Sequence, residues 1–198
     1  LACNMFDEVV VNTDGADLAR LAVSLGAKVF DRDPRFAADD ASGDDFNYDF
    51  VTKWDVDTLV MISPVCPLLR TSDIERAIEM FASEESADTL ISVQSTQMQV
   101  FCGTEPVNVR LGAHLAPTQD NPAVHVLNWA VTIWNVASYR RRYERGADAY
   151  IGENRVFLPL TPMNSIKISH EEDFQFAEAL LKARRLASGP EEPSFWKP

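Results

Sequence analysis

The chain has 198 residues, is 46% hydrophobic, and carries 30 acidic against 18 basic side chains for a formal net charge of −12. That length supports one domain with a real core, and no segment approaches the length of a membrane span. The acidity argues against binding a nucleic-acid backbone over any large surface, although one small anion can still be held by a few local cations or backbone N–H groups.

Leu1 to Phe6 has neither a basic flank nor a cleavage pattern, so it does not read as a signal peptide. The chain opens on Leu1 rather than Met, and the natural start is expected upstream. Cys3, Cys66 and Cys102 are odd in number, scattered, and without metal-ligand spacing. They suggest no disulfide framework and no zinc site, and a reducing, cytoplasmic setting.

In chain order, Glu8 to Asn12 (EVVVN) reads as a strand ended by the turn Thr13-Asp14-Gly15. Ala16 to Leu25 has Leu18, Leu21, Ala22 and Leu25 at helical spacing and stops at Gly26. Lys28 to Phe30 is a short strand, Arg32 to Gly43 a polar loop, and Phe46, Phe50 and Trp54 mark a short helix. Thr58 to Ile62 (TLVMI) is a continuous apolar run, as expected of a strand covered on both faces, and Ser63-Pro64-Val65-Cys66-Pro67 breaks it. Ser72 suggests an N-cap with Glu75 at the capping-box position, and Thr89 to Val93 is the next strand. This alternation implies a mostly parallel sheet sandwiched by helices.

The middle of the chain departs from that pattern. Gln97 to Gly103 and Val107 to Arg110 flank a Gly-Thr-Glu-Pro turn and read as a hairpin. His125 to Trp134 (HVLNWAVTIW) is a long strand-like run whose apolar side chains need cover, either from the parallel sheet or from a partner subunit. Ala137 to Arg145 is a short helix, and Arg155 to Leu158 and Ser165 to Ile168 are strands. His170 to Leu186 is a closing helix, and the Pro- and Glu-rich tail from 188 to 198 is expected to be mobile.

Ligands of open parallel sheets bind beyond the carboxyl ends of the strands, so the polar residues there are the candidates. They are Asn12, Thr13 and Asp14, then Arg32 and Asp39 to Ser42, then Ser63, Cys66 and Arg70, and last Lys167 and Ser169. Each has a plainer alternative. Asp14 before Gly is a turn former, Arg32 between Asp31 and Asp33 a loop ion pair, and Cys66 an inert buried thiol. Asn128, inside an apolar strand, is structural or a ligand contact, because a buried amide needs partners for both its donors and its acceptor. No P-loop, GxGxxG or Ser-His-Asp order is present, and Asp44-Asp45 reads as a helix-start charge cluster rather than a metal site.

Five segments taken together resemble the acylneuraminate (sialic acid) cytidylyltransferases. FDEVVVNTDGADLARLAVSLGAKV is similar to the segment in which a strand ends at S-T-D, and RDPRFAADDAS to the loop R-P-x-x-x-A-x-D-x-A-S. LVMISPVCPLLRTSDIERAIEMF resembles L-L-Q-P-T-S-P-L-R-x-x-x-D-I, PTQDNPAVHVLNWAVTIW resembles R-Q-D-x-P-x-x-Y-x-x-N-G-A-I-Y-I, and SIKISHEEDFQFAEALL resembles S-I-D-I-D-T-x-E-D-F-x-x-A-E. The resemblance implies an α/β fold with a Rossmann-like, mostly parallel sheet of the nucleotide-diphospho-sugar transferase type. Residues 1–187 would form one domain, with 97–134 as an antiparallel excursion that builds a homodimer.

It also implies a nucleotidyltransferase that couples CTP to an acidic keto-sugar, with Mg²⁺, releasing pyrophosphate. Arg32, Asp39 and Ser42 would then lie near nucleotide and sugar, Asp14 at the strand end, and Ser63 and Cys66 on the base and ribose side. Gln119, Asp120 and Asn128 would face the sugar. Lys167 and Arg70 would be catalytic, with Ser169 at the metal position.

This chain departs from the family pattern in three places. The opening loop A-x-x-P-A-R-x-G-S-K has no counterpart, for which truncation or disorder is the expected reason. The two metal-binding Asp of S-I-D-I-D fall on Lys167 and Ser169, and the Arg of P-L-R falls on Leu69, one place before Arg70. The Lys167 and Ser169 changes motivate an alternative, a non-catalytic homologue that binds nucleotide or sugar. A nucleotide-sugar glycosyltransferase is a further alternative, and it should show an Asp-x-Asp metal motif after a core strand.

Overall fold

A computed structural model describes residues 3–38, 40–112 and 114–188. The elements in chain order are β1 (Val10–Thr13), α1 (Ala16–Ser24), β2 (Lys28–Asp31), α2 (Gly43–Lys53), β3 (Thr58–Ile62), α3 (Thr71–Ser83) and β4 (Thr89–Thr96). There follow β5 (Phe101–Cys102), β6 (Glu105–Pro106), β7 (Val124–Asn135), α4 (Val136–Glu144), β8 (Arg155–Leu160) and α5 (Glu171–Ser188). Two compact units result. The first takes the chain up to Met61 with Thr71–Ile91 and Val131–Leu158; the second takes Ile62–Arg70, Ser92–Ala130 and the chain from Pro159.

The fold is α/β with a mostly parallel central sheet, as the strand–helix alternation implies. Strands β3, β7, β4 and β8 lie side by side in that order, while β1 and β2 pair with each other in parallel, Val10 opposite Lys28 and Thr13 opposite Asp31. Strand β7 runs against β3. The Val136 N–H donates to Asp57 O at 2.9 Å where β3 begins, and the Ser63 N–H donates to Ala130 O at 3.0 Å where β3 ends.

The long apolar run therefore finds cover within its own chain: Ile133 and Trp134 are each 1% exposed. Trp134 sits in the core of the first unit with Phe30, Phe50, Val51, Val136, Tyr139 and Ala149, and its indole N–H donates to Tyr150 O at 2.7 Å. A partner subunit is not needed to hide these two side chains.

Five local readings change. Ser165 to Ile168 is not a strand; the Ile168 N–H makes a 2.8 Å backbone bond to Val65 O. Helix α3 starts at Thr71, so Ser72 lies inside it rather than capping it. The 97–110 hairpin is only a two-residue ladder, Phe101 opposite Pro106 and Cys102 opposite Glu105. Its base is held by Asn108, whose Oδ1 accepts from Val100 N at 2.8 Å and whose Nδ2 donates to Met98 O and Pro122 O at 2.9 and 3.0 Å. One side chain thus does what a longer ladder would do. Lastly, Leu18, Leu21 and Leu25 of the α1 stripe are exposed and only Ala22 of that helix is buried, while β3 is half-exposed rather than covered on both faces. The tail expected from residue 188 lies almost wholly outside the described residues.

Candidate active site

In the first unit the candidates gather where β1 and β2 end together. Thr13 is buried, and its hydroxyl accepts the Gly15 N–H at 3.0 Å, turning the chain and leaving Asp14 exposed. Arg32 donates from Nε to Asn12 Oδ1 at 3.0 Å and from Nη2 to Asn12 O at 2.5 Å, and its guanidinium lies 4.5 Å from the Phe46 ring centroid. The alternative of an Arg32 ion pair with its neighbours gives way to this arrangement, and it is Arg35 that pairs with Asp33, at 3.4 Å. Arg32 is thereby fixed in direction at low entropy cost, as a preset anion contact requires.

Ser42 caps α2. Its hydroxyl accepts from Asp45 N at 3.1 Å and donates to Asp45 Oδ2 at 2.7 Å. Helix α2 is tied down further by Asp44, whose Oδ1 accepts the Ala149 and Tyr150 N–H groups at 2.9 Å each, and by a Tyr143–Asp45 hydrogen bond. That bond raises the Tyr143 phenol to about 12 and lowers the Asp45 carboxyl. The Asp44-Asp45 pair is structural, as its place at a helix start suggests. Asp39 lies outside the described residues.

In the second unit the turn after β3 meets β7 and the segment before α5. The Cys66 N–H donates to Ser63 O at 3.2 Å, and the Cys66 thiol, buried, lies 4.0 Å from Asn128 O. Burial pushes the thiol pKa up, while a hydrogen bond with Ser63 and the charge of Lys167 pull against it. The net direction is upward, so Cys66 is a protonated thiol near neutral pH rather than a nucleophile. Arg184 of α5 fixes the same turn, donating to Leu68 O and Asn164 Oδ1 at 3.0 Å each.

Lys167 is exposed and makes no ion pair among the described residues. Ser169 donates its N–H to Asp173 Oδ2 at 2.9 Å, as does His170, so that carboxylate is engaged as a helix cap and is held below its usual range. Among the described residues no three His, Cys, Asp or Glu gather into a metal-holding group. An ammonium and a hydroxyl at 167 and 169 do not suit a protein-held divalent cation, which takes carboxylate and carbonyl oxygens.

Gln119 and Asp120 sit in the short turn Thr118–Asp120, both exposed, and the Gln119 carbonyl accepts from Gln97 Nε2 at 2.7 Å. Arg70 is exposed just before α3. Asn128 is buried at 6% exposure. Its Oδ1 accepts from the Ser92 hydroxyl at 2.6 Å and from the Ala130 N–H at 3.1 Å. Two participants escaped the sequence reading, Ser92 and the backbone of Trp129. Ser92 is one polar residue in an apolar strand, a signal of the kind that marked Asn128; for Trp129 the signal was the Gly of N-G-A-I-Y-I, which falls on it.

The structure thus brings Asp14, Arg32 and Ser42 to one region of the first unit, and Ser63, Cys66, Asn128 and Lys167 to one region of the second. Comparison with known proteins gives this arrangement a family. The chain matches the family described as cytidylyltransferase over residues 1–181. It is 22% identical over 193 residues to the post-translational flagellin modification protein B of Campylobacter coli, covering 92% of this chain and 80% of that protein. To N-acylneuraminate cytidylyltransferase A of Danio rerio it is 29% identical over 115 residues, 54% of this chain and 26% of that one. Among solved structures, a CMP:2-keto-3-deoxy-manno-octonic acid synthetase complexed with CTP superposes with a TM-score of 0.66 at 14% identity, covering 93% of this chain and 84% of that one. A 4-diphosphocytidyl-2C-methyl-D-erythritol synthase from Anaerococcus prevotii DSM 20548 gives 0.65 at 11% identity, with 91% and 81% covered. The chain belongs to the cytidylyltransferase family of nucleotidyltransferases.

Proposed function

We propose that the protein activates an acidic, sialic-acid-like keto-sugar with CTP, giving a CMP-sugar and pyrophosphate. The observation that carries the substrate class is the 115-residue match to an N-acylneuraminate cytidylyltransferase; the match to flagellin modification protein B extends over most of both chains but its name specifies no sugar. In the reaction a sugar hydroxyl oxygen attacks the α-phosphorus in line. The bond from that phosphorus to the bridging oxygen breaks, pyrophosphate leaves, and the hydroxyl proton passes to solvent. Catalysis of this kind is positioning plus neutralisation of charge on the leaving group.

Arg32, fixed by Asn12, orients an anionic part of a substrate, with Asp14 and Ser42 contributing from the same end of the first unit; Asp39 is assigned to this role by the family resemblance alone. Ser63 and Cys66 line the nucleotide side, Gln119, Asp120 and Asn128 the sugar side, and Lys167 with Arg70 supplies positive charge. Mg²⁺ enters with CTP rather than on protein carboxylates. The protein works as a homodimer through residues 97–134 and acts in the cytoplasm.

The test is to incubate the purified protein with CTP, Mg²⁺ and, separately, N-acetylneuraminate, 2-keto-3-deoxy-manno-octonate and methylerythritol phosphate. Pyrophosphate release and CMP-sugar mass are followed. Product with a keto-sugar acid supports the reading; product with methylerythritol phosphate alone overturns the substrate class. The departures at Lys167 and Ser169 keep one other reading, a nucleotide-binding homologue without turnover. Tight CTP binding with no pyrophosphate from any acceptor would establish it.

A further inference from the structure

Strand β7 contains a tryptophan in a backbone conformation that tryptophan resists. Trp129 has φ of 59°, and it is the one non-glycine residue with positive φ among the described residues. A bulky side chain in this left-handed region is strained, and such strain persists only where the surroundings impose it. The consequence lies one residue earlier. The reversal at Trp129 brings the Ala130 N–H back onto the Asn128 side chain at 3.1 Å, closing a side-chain turn inside the strand.

An N–H can only donate, so the atom it meets is Oδ1, and the orientation of the amide is settled. The Ser92 hydroxyl donates to the same oxygen at 2.6 Å. Both acceptor sites of Asn128 are filled, and its Nδ2, buried and without a hydrogen-bond acceptor among the described residues, is left to donate. Buried amide donors are rarely left unmet. The same residue's carbonyl faces the buried Cys66 thiol in the turn that feels the Lys167 charge.

We propose that Trp129 is a positioning residue for substrate recognition: its left-handed backbone holds the Asn128 amide so that Nδ2 donates to an oxygen of the bound sugar acid. This deepens the cytidylyl-transfer reading and rests on it for the ligand class. Trp129 acts through its backbone, and any residue that tolerates positive φ serves in its place. Glycine adopts that φ freely, whereas valine, β-branched, is forced toward extended backbone.

The experiment titrates the full chain calorimetrically with N-acetylneuraminate and with 2-keto-3-deoxy-manno-octonate, in wild type and three variants, alongside CTP titrations and melting curves. Asn128→Asp keeps an oxygen for both internal hydrogen bonds but replaces the donor with a second carboxyl oxygen, and so also buries an acid. It should melt below wild type for that reason, keep CTP binding within about threefold, and bind the sugar acid about tenfold more weakly or worse, from loss of the donor together with repulsion of the anion; the Trp129 pair, which adds no charge, carries the positioning claim. Trp129→Gly and Trp129→Val both delete the indole. Gly should keep the sugar-acid Kd within about threefold, and Val should weaken it about tenfold, the loss expected when the donor is turned away.

Unchanged sugar-acid binding in Asn128→Asp overturns the proposal, as does equal behaviour of the Gly and Val variants, or no detectable heat with wild type. If Val does not fold, Asn128→Asp against Trp129→Gly decides. Turnover is measured separately. Sugar-acid binding with no CMP-sugar formed counts against the transfer reading while leaving the role of Trp129 intact.

Discussion

At Lys167 an ammonium stands where the resemblance puts a metal-binding Asp, so the sign of the local charge is reversed. The side chain is exposed, yet its charge reaches the Cys66 thiol across the turn held by the bond from Ile168 N to Val65 O. In the proposed reaction, a cation facing the triphosphate would attract it most strongly when pyrophosphate charge develops, which is the transition state rather than the bound state. Lys167→Ala is therefore expected to lower kcat by about tenfold, an effect moderated by solvent screening, and to change the sugar KM by less than about twofold. Steady-state kinetics on CMP-sugar formation reads both. Equal kcat in wild type and variant would show that Lys167 only faces solvent. Arg32 is the contrasting case, because its direction is already set by two hydrogen bonds to Asn12 and by Phe46 beneath it.

At the level of elements, Asp88 organises the end of the first unit where β4 and β8 begin. Its carboxylate accepts from Thr89 Oγ1 at 3.1 Å, Glu153 N at 3.1 Å, Asn154 N at 3.2 Å and Ser138 Oγ at 3.4 Å. Gly152 makes this possible. Its φ is +71°, and a Cβ there would lie 2.0 Å from Thr89 Oγ1 and 2.5 Å from Asp88 Oδ1. Gly152→Ala is expected to cost about 3 kcal/mol, combining overpacking with positive-φ strain, and to lower Tm by roughly 10 °C. A calorimetric Tm within about 2 °C of wild type would show that the loop relaxes without loss.

The same elements show what the sequence can reveal. The β-branched run EVVVN and the apolar run TLVMI made β1 and β3 legible, and the turns after β1, β2 and β3 singled out Asp14, Arg32, Ser63 and Cys66 as candidates, because strand ends are where a chain of this class places its polar groups. Ser165 to Ile168 alternates like a strand but has no ladder to join, since pairing depends on a neighbour that period alone cannot supply. Ser72 had the chemistry of a cap, but α3 begins one residue before it. The left-handed Trp129 was hidden from local preference, which opposes it; only the Gly of N-G-A-I-Y-I at that place in the resemblance hinted at it, and the surrounding packing imposes it.

For the molecule as a whole, the question is what remains exposed after folding. With Ile133 and Trp134 buried at home, the case for a partner passes to Met98, Phe101, Val107, Leu111, Leu115 and Val126, all from the excursion and all exposed, Leu115 at 70%. Six exposed large apolar side chains fall on one 29-residue stretch, and apolar surface that is contiguous marks an interaction site. The proposed homodimer would cover them, since a second copy carries the same residues and a two-fold contact is self-complementary. Opposing this is the net charge of −12 on every copy, which repels at long range and is screened by salt. The balance makes a specific forecast. Sedimentation at micromolar concentration should show a dimer at about 0.15 M salt, strengthening at about 0.5 M as repulsion is screened and apolar burial is not. Met98→Glu with Leu115→Glu should give a monomer at both, with the melting temperature of the fold largely kept because neither side chain is buried. A wild-type monomer across the salt range would mean that another protein, or no protein, covers this face.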